Sequence, residues 1–563
     1  MFFTITLYLS LIICSAGLLY RSRCWFVYRV GPRAERFAGM QRFAAAVRAV
    51  AAALASRRVL VLFKVLVLDV LLQVKILKAS FWRWFMHMSI FAGFLLLLLM
   101  HALDGQITRA MFPEYGSTLN PFLFLRNLGG ALVLVGIVVA IYRRWASRRL
   151  KFITRSGDKL ALVILAVIIM SGFLLESFQI ISSPIFDQMV EDYLGSDDPE
   201  DVAALKAYWA EDFAVVFGVP TAAASSALMA KGRMLHEESC AGCHSNPHTA
   251  FVSYPLAKAA QINAGLLNRV RADIWLWYVH FLACFIGLAI LPFTKFFHLI
   301  STPLRLLVNA VEDPAASAPV NRETGRAMGL DACTRCGVCS LHCSVAPVFD
   351  IIDNRNILPS EKLKAVKAVA AGKRHDSATL AFISEGSFIC TACLRCTELC
   401  PAGINLQDVW SASRNNLAEK GFDQPHIWVR EKTAAEWAAS LEEYEAVSPA
   451  AAHTPGAFGL CDKRETFAEC IQCTTCTNVC PVVAATDNPS RDLELTPQQI
   501  MNLLRLGLKD MAMGARMVWD CTTCYMCQEH CPNGVKVADV LYELRNMACE
   551  RFQTIRQPEG FIL

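Results

Sequence analysis

The sequence has 563 residues, of which 55% are hydrophobic and 18% charged, and its mean hydropathy is +0.37. This composition excludes a wholly soluble protein and predicts several domains with membrane-spanning segments. The 23 cysteines are spaced as metal ligands rather than as the disulfide framework of a small secreted protein. The net charge of +5 does not indicate a nucleic-acid partner, and none is predicted.

Five apolar segments are each close to the ~20 residues that cross a bilayer as a helix. The first lacks a basic leader and an Ala-x-Ala cleavage site, so we interpret it as a retained anchor rather than a signal peptide. The five predicted spans are residues 1–20, 81–103, 121–142, 160–180 and 274–293.

The charges of the loops predict how these spans are oriented. Residues 21–80 carry twelve Lys or Arg against two acidic residues, and residues 143–159 carry seven against one. Residues 183–212 instead carry nine acidic residues against one Lys. Because basic loops stay in the cytoplasm, we expect a multi-pass protein of the bacterial inner membrane. Its N-terminus and the 181–273 loop would lie in the periplasm, and its C-terminal part in the cytoplasm.

The segment 58–77 is also long enough to cross, but Lys64, Asp69 and Lys75 within it would be costly in lipid. If it spanned, the basic stretch 21–57 would lie outside, against the loop-charge rule. We therefore predict an interfacial or protein-packed helix that leads into the second span.

The outer loop contains a C-x-x-C-H motif made by Cys240, Cys243 and His244, which is the attachment signature of a c-type haem. In this interpretation both cysteines form thioethers and His244 binds the iron; a redox or zinc pair is the alternative. Covalent haem c is made outside the cytoplasmic membrane, in agreement with the predicted side. The sixth iron ligand stays open among the nearby residues His248, His236, Met234 and Met229.

Four histidines lie within or beside the spans. His87 and His101 are 14 residues apart in the second span, about 21 Å along a helix, and His280 and His298 are 18 apart in the fifth, close to five turns. Because these two spans run antiparallel, His87 and His298 share the inner side and His101 and His280 the outer side. Two b-haems, each bound by two histidines, fit this pattern. Hydrogen bonding between helices by isolated histidines is the alternative.

The stretch "YVHFLACFIGLAILPFTKFFHLISTP" (278–303) resembles the last span of the gamma subunit of respiratory nitrate reductase. Members of that family are five-span dihaem cytochromes b that oxidise quinol. The resemblance covers about residues 1–305 and implies haem ligation by His280, His298 and, in "WFMHMSIFAGF", His87. His101 lies four residues beyond the family's position, and a haem c is not part of the nitrate reductase pattern. Cytochrome b subunits of heterodisulfide reductase and of the sulfite-reductase-linked membrane complex belong to the same superfamily.

The last 230 or so residues contain four C-x-x-C-x-x-C-x-x-x-C runs, after a predicted linker at 306–325 that is rich in Ala and Pro. Four thiolates per cubane predict four [4Fe–4S] clusters, with zinc as the alternative. In two-cluster ferredoxins the fourth Cys of each run binds the cluster of the other run, and we expect the same here. The first site would then hold Cys333, Cys336, Cys339 and Cys400; the second Cys390, Cys393, Cys396 and Cys343; the third Cys470, Cys473, Cys476 and Cys531; the fourth Cys521, Cys524, Cys527 and Cys480. Cys14, Cys24, Cys284, Cys461 and Cys549 are interpreted as ordinary thiols.

The runs repeat after 131–137 residues, which indicates an internal duplication. The segments between them have apolar residues at helical spacing, and "LTPQQI" predicts a helix start with Thr496 as N-cap and Pro497 at the first position. The modules 326–410 and 466–563, joined by the segment 411–465, resemble the ferredoxin-like iron–sulfur subunit of heterodisulfide reductase. The predicted fold is therefore all-α: a five-span cytochrome b bundle followed by two helical ferredoxin modules.

The chain lacks both the C-C-G motif of catalytic heterodisulfide reductase clusters and a G-x-G-x-x-G dinucleotide motif. All of its predicted cofactors transfer single electrons, so we expect an electron-transfer subunit whose substrate chemistry occurs on a partner. The predicted complex is respiratory and linked to menaquinone or ubiquinone, with a cytoplasmic heterodisulfide-reductase-like or other redox partner. Glu176 and Asp104, at the outer ends of two spans, are candidate acceptors of quinol protons.

Two other functions remain open at this stage. Electrons could pass from a periplasmic cytochrome c to the cytoplasm without quinone chemistry, or the chain could anchor a soluble reductase to the membrane. The anchor function does not explain the eighteen cysteines of the predicted metal sites, and the direction of electron flow is not encoded in the sequence.

Overall fold

The computed structural model describes residues 1–146, 156–196, 198–218, 225–313, 316–350, 352, 354–422, 430, 432–447 and 459–556. Helices make up 74% of the chain, and the described residues form no strand beyond one isolated bridge between Ser182 and Val216. The all-α prediction is confirmed. The chain divides into two compact units, residues 1–416 and 417–563, and each is described by itself.

The first unit contains the apolar helices and the first ferredoxin module. Its main helices are α1 (Phe2–Val27), α2 (Gly39–Leu54), α3 (Arg58–Val65), α4 (Val74–Ala79), α5 (Phe81–Leu97), α6 (Phe122–Ala146), α7 (Ser156–Ile180), α8 (Ser183–Tyr193), α9 (Pro199–Asp212), α10 (Ser226–Ser239), α11 (Ser253–Ala260), α12 (Ala272–Ile290), α13 (His298–Val311), α14 (Pro319–Ala332), α15 (Pro359–Ala370), α16 (Ser377–Phe388) and α17 (Leu406–Ala418).

Five of these helices are long and apolar enough to cross a membrane, namely α1, α5, α6, α7 and α12. They coincide with the five predicted spans. Wide π-helical turns extend α5 through Leu98–Ala102, and a short 3₁₀ turn, Leu291–Phe293, extends α12.

Small residues let α5 and α6 pack closely. A Cβ atom added to Gly93 would lie 2.4 Å from the carbonyl oxygen of Gly129, and one added to Gly136 would lie 2.5 Å from Ile90. Apolar helices gain little from excluding lipid, so close backbone contact through small residues is what stabilises such a pair.

The segment 58–77 is divided into short helices. α3 ends at Val65, a wide turn covers Leu66–Leu71, and Gln73 adopts a left-handed conformation at φ 53° before α4 begins. Lys75 pairs with Asp69 at 3.8 Å, and α3 packs against α13. This stretch therefore has no single helix long enough to count among the five.

The 181–273 segment forms a small helical domain from α8 to α11. Its core is aromatic, since Phe186, Trp209 and Phe213 are buried and their rings contact one another. The hydroxyl of Ser177, on α7, donates to the backbone of Ser253 at 2.9 Å and so connects this domain to the apolar helices.

The predicted linker at 306–325 contains the end of α13 and the start of α14, because Pro319 begins a helix at its first position. Residues 314 and 315, between the two helices, lie outside the described part. The first module follows, with a core that includes Leu363, Ile404 and Trp410.

The second unit is built from α18 (Ala434–Val447), α19 (Pro497–Arg505), α20 (Lys509–Gly514), α21 (Arg516–Asp520) and α22 (Val537–Arg556) around the buried side chains of Trp437, Ile500 and Leu544. The predicted start of α19 is confirmed. Thr496 accepts a hydrogen bond from the backbone of Gln499, and the Gln499 side chain accepts one in return at 2.8 Å. Residues 423–429, 431 and 448–458 of the connecting segment 411–465 lie outside the described residues.

Candidate redox centres

The inner histidine pair is brought together at the junction of α5 and α13. The imidazole rings of His87 and His298 are 6.1 Å apart between centroids. Nδ1 of His87 donates to the side-chain oxygen of Gln73 at 2.7 Å, and Nδ1 of His298 donates to the carbonyl oxygen of Lys295 at 2.5 Å. With Nδ1 held in this way, Nε2 of each ring is the nitrogen available to a metal.

The outer pair has the same arrangement. The rings of His101 and His280 are 6.0 Å apart, and Nδ1 of His280 donates to the carbonyl oxygen of Ile168 at 3.1 Å. His101 lies in the π-helical extension of α5, where wider turns change the register. Gly172 leaves room for the ring, since a Cβ there would lie 3.1 Å from His280.

The distance between the ring centroids in each pair matches that expected for two imidazoles that bind one haem iron. Two imidazole nitrogens that bind one iron from opposite sides, each at about 2 Å, place the ring centroids about 6 Å apart. The four histidines therefore meet in the two pairs expected from the sequence. Haem ligation itself remains a prediction.

The C-x-x-C-H motif forms a tight turn after α10. The backbone N–H groups of Cys243 and His244 both donate to the carbonyl oxygen of Cys240, at 3.0 and 2.9 Å. The turn is attached to the loop before α6, because the N–H of Ser245 donates to the carbonyl oxygen of Thr118 at 3.1 Å. The predicted haem c site is thus held against the loop that precedes α6.

Among the four candidates for the sixth haem c ligand, His236 shares an aromatic neighbour with His244. Both rings contact the indole of Trp209, at 5.7 and 5.6 Å. Nδ1 of His236 is buried with no hydrogen-bond partner among the residues that the structure describes, and burial lowers the pKa of both histidines, which favours the neutral form that binds iron. His248 is instead bonded to Tyr254 at 2.7 Å, and Met234 is half exposed.

Glu176 belongs to a hydrogen-bond network that joins three helices. Its carboxylate accepts from Asn127 at 2.8 Å and from the hydroxyl of Ser253, and Arg126 lies 3.9 Å away. The other candidate, Asp104, lies 3.5 Å from Arg109. Both carboxylates are thus paired with arginine, and a proton-accepting role remains a prediction.

The cysteines surround cavities in the predicted crosswise sets. Three cavities are each lined by three cysteines of one run and the fourth cysteine of its partner run, which are the second, third and fourth sites. In the described part of the chain, no three Cys, His or carboxylate groups converge as a single metal ion would require. Four sulfurs around a shared space are the arrangement that a cubane needs.

The first site also combines three cysteines of one run with the last cysteine of the other run. Cys333 and Cys336 interact electrostatically with Cys400, from the other run, and burial raises the pKa of Cys333 to about 12. Thiolates are the form that binds iron, so a cluster would have to stabilise the charged state of this buried sulfur.

Left-handed residues shape all four loops. In each run the residue before and the residue after the second cysteine have positive φ, and seven of these eight are not glycine. They are Arg335, Gly337, Ala392, Leu394, Gln472, Thr474, Thr523 and Tyr525. This conformation points backbone N–H groups at sulfur, as Arg335 to Cys333 and Thr523 to Cys521 show, both at 3.4 Å.

Arg83 connects the inner histidine pair to the first site and was not identified from the sequence. It precedes His87 by one turn of α5, and its positive charge acts on the sulfur of Cys336. Burial is the largest effect on the pKa of Cys336 and raises it, but the charge of Arg83, the backbone of Val338 and the side chain of Thr334 together outweigh burial, and the pKa is lowered overall. Lys75 also lies near this site, with its ammonium 3.6 Å from the position of a Cβ on Gly403.

Lys362 is a second functional candidate that the sequence did not reveal. Its side chain is buried in the wall of the second cavity, and its ammonium lies 5.2 Å from the ring centre of Trp410. Burial lowers its pKa to about 8, opposed by the thiolates of Cys390 and Cys343.

Comparison with known proteins supports the C-terminal half. Residues 329–404 and 466–535 each match the family model of the 4Fe-4S dicluster domain. The chain therefore carries iron–sulfur dicluster domains that transfer electrons through [4Fe–4S] clusters.

Curated relatives match over short stretches. The iron-sulfur subunit of the CoB–CoM heterodisulfide reductase of Methanopyrus kandleri is 42% identical over 82 residues, which is 15% of this chain and 39% of the relative. A subunit of the H(2):CoB-CoM heterodisulfide,ferredoxin reductase of Methanothermobacter marburgensis is 41% identical over 81 residues, 14% of this chain and 40% of the relative.

A subunit of the dihydromethanophenazine:CoB–CoM heterodisulfide reductase of Methanosarcina barkeri is 34% identical over 106 residues, 17% of this chain and 25% of that relative. The chain thus spans two-fifths or less of the length of these three proteins. No solved structure gave a significant match.

Proposed function

We propose that this protein is the membrane-bound electron-transfer subunit of a quinone-linked respiratory complex. Its redox centres would be one haem c, two b-haems and four [4Fe–4S] clusters, and each carries one electron at a time. The protein connects quinol and the periplasmic haem c with a redox partner in the cytoplasm. A heterodisulfide-reductase-like protein is the favoured partner, since the relatives are subunits of such complexes.

One observation carries the proposal. Arg83 lies one turn from His87 and its charge acts on the sulfur of Cys336, so residues of the inner haem pair and the first cluster site meet in one compact unit. A membrane anchor would not need these two ligand sets to adjoin. The adjacency supports electron transfer between the inner haem and the first cluster.

The protein's own residues would fix the haems in place. Gln73 and the carbonyl oxygen of Lys295 hold the inner imidazoles, and the carbonyl oxygen of Ile168 holds His280. Such outer partners fix the ring orientation and leave Nε2 for iron. The inner pair would lie towards the cytoplasm and the outer pair towards the periplasm, as the loop charges favour.

The outer haem is the favoured place for quinol. Glu176 and Asp104 lie near the outer ends of α7 and α5 and could accept the protons that quinol releases. Electrons that pass inward would then leave protons outside. Either menaquinol or ubiquinol would fit this role.

A second function is favoured by the attachment of Ser245 to Thr118, which holds the C-x-x-C-H turn against the loop that precedes α6. This contact would let a periplasmic cytochrome c deliver electrons through haem c to the outer b-haem without quinone.

Redox titration of the purified protein distinguishes the two functions. We expect two b-haems, one c-haem and about sixteen non-haem irons per chain, from four irons in each of four cubanes. Menaquinol should reduce the b-haems and the clusters in the proposed function. Reduction by a reduced cytochrome c and none by quinols would favour the second function, and clusters that no haem can reduce would reject both.

A further inference from the structure

The two ferredoxin modules differ at one buried charge. Pro359 begins α15 and Pro497 begins the corresponding α19, and the residue three positions later is Lys362 in the first module and Ile500 in the second. Lys362 is 1% exposed and Ile500 is 0% exposed. A cationic and an apolar side chain therefore occupy the same buried place in the repeat.

The cavities beside these helices differ accordingly. The second cavity is lined by Lys362, Gln407 and Trp410. The fourth cavity is lined by Ala538 and Leu541, which stand at the same distances from the last cysteine of the module as Gln407 and Trp410 do in the first module. Two cationic residues, Lys362 and Arg395, line the second cavity, whereas no charged residue of the described part lines the fourth.

Lys362 has no carboxylate partner among the described residues. The anionic groups that act on it are the thiolates of Cys390, Cys343 and Cys396; of the nearby cations, Arg414 acts on it electrostatically and Arg395 lines the same cavity. Arg414 does not distinguish the modules, because Arg545 occupies the same position in the repeat. A buried ammonium is costly unless it is paired, so its counter-charge has to come from the cavity itself.

We propose that Lys362 is the buried counter-charge of the second cluster and raises the reduction potential of that cluster above that of the fourth. The proposal rests on the ligand sets of the proposed function. On reduction, a cubane gains one electron and one unit of negative charge, while Lys362 keeps its proton. A nearby cation stabilises the reduced form more than the oxidised form, and Trp410 holds the ammonium in place.

The order of potentials gives the second cluster a role in the path. An electron that reaches the first module would be held there preferentially until an acceptor draws it onward. The fourth cluster, whose cavity is lined by no charged side chain among the described residues, would be the harder of the two to reduce.

The test is a mediated redox titration of the full-length protein, followed by electron paramagnetic resonance. Lys362→Met should lower one cluster midpoint, with at least a tenfold smaller equilibrium constant for reduction, which is about 59 mV for one electron. The other midpoints should not move. Lys364→Met is the matched control, since this lysine is exposed on the same helix and should shift none.

The reciprocal variant, Ile500→Lys, should raise the midpoint of a different cluster. Unchanged midpoints in both Lys362→Met and Ile500→Lys, at full iron content, would overturn the proposal. If Lys362→Met loses the iron of one cluster and Lys362→Arg keeps it, the cluster needs the positive charge, which supports the proposal. If both variants lose that iron, the proposal is overturned. Wild-type protein with iron for fewer than four clusters would instead reject the ligand sets themselves.

Discussion

The indole nitrogen of Trp25, on α1, donates to the carboxylate of Asp331, near the end of α14, over 2.9 Å. Arg21 pairs with the same carboxylate at 2.9 Å, Lys367 also contacts it, and the Asp331 side chain is fully buried. Asp331 precedes Cys333 by two residues. One buried carboxylate thus joins the first apolar helix to the start of the first cluster loop.

Replacement of this carboxylate should loosen the junction. Asp331→Asn is expected to lower the free energy of unfolding by about 3–5 kcal/mol, because it leaves Arg21 and Lys367 without their buried partner. Thermal unfolding in detergent measures the loss. Glu35→Gln is the control, since Arg29 and Glu35 pair at 3.6 Å with both side chains mostly exposed, where a change of ~1 kcal/mol or less is expected. Equal effects of the two variants would contradict a structural role for Asp331.

The histidine pairs give a separate prediction for haem content. His101→Ala should remove one b-haem and leave the other b-haem and the c-haem, because His280 alone would lack its partner at 6.0 Å. Pyridine haemochrome analysis should give two b to one c in the wild type and equal amounts in the variant.

His87→Ala is the matched variant of the inner pair and should also remove one b-haem. The reduction midpoint that disappears should differ from the one that His101→Ala removes. A wild-type ratio of one b to one c would reject the outer pair. Retention of both b-haems in His101→Ala would show that His101 is not a ligand.

Much of this architecture could be predicted because it follows from composition and spacing. A run of about 20 apolar residues, as in α7, can satisfy its backbone in lipid only as a helix. Thr496 and Pro497 fix the start of α19 through local hydrogen bonding. The pairing of His87 with His298 required only helix geometry and antiparallel spans, and the rings lie 6.1 Å apart.

The features that could not be predicted depend on contacts distant in the sequence. In the sequence, Arg83 is a charged residue near the end of a predicted span and nothing marks it as functional. Only the fold places it where its charge acts on Cys336. Lys362 looks like one of several lysines on an amphipathic helix until Trp410, 48 positions later, covers it. The left-handed residues, such as Tyr525, escape prediction because that conformation normally selects glycine.

The orientation of the chain can be tested with reporter fusions. A phosphatase that is active only outside the cytoplasm should be active when fused after Leu194, in the acidic outer segment, and inactive when fused after Val311. The reason is the charge of the loops, which keeps basic segments inside. A fluorescent reporter that folds only inside should give the opposite pattern. An active phosphatase fused after Leu54 would contradict the five-span topology and make the segment 58–77 a true span.

The last prediction concerns the side on which quinol reacts. Glu176→Gln keeps an oxygen that can accept from Asn127 and Ser253, so the network that joins α6, α7 and α11 should survive. It removes the carboxylate that could take a proton from quinol. Reduction of the b-haems by menaquinol should slow by about 100-fold or more, while the haem spectra and reduction by dithionite stay unchanged.

Asp104→Asn is the companion variant at the outer end of α5, where Arg109 lies 3.5 Å from the carboxylate. If only one carboxylate accepts the proton, only one of the two variants should slow the reaction. Normal quinol-driven reduction in both would remove these carboxylates from the mechanism. A quinol analogue that perturbs only the His87–His298 haem would move the quinol site to the inner side, because an inhibitor changes the spectrum of the haem beside which it binds.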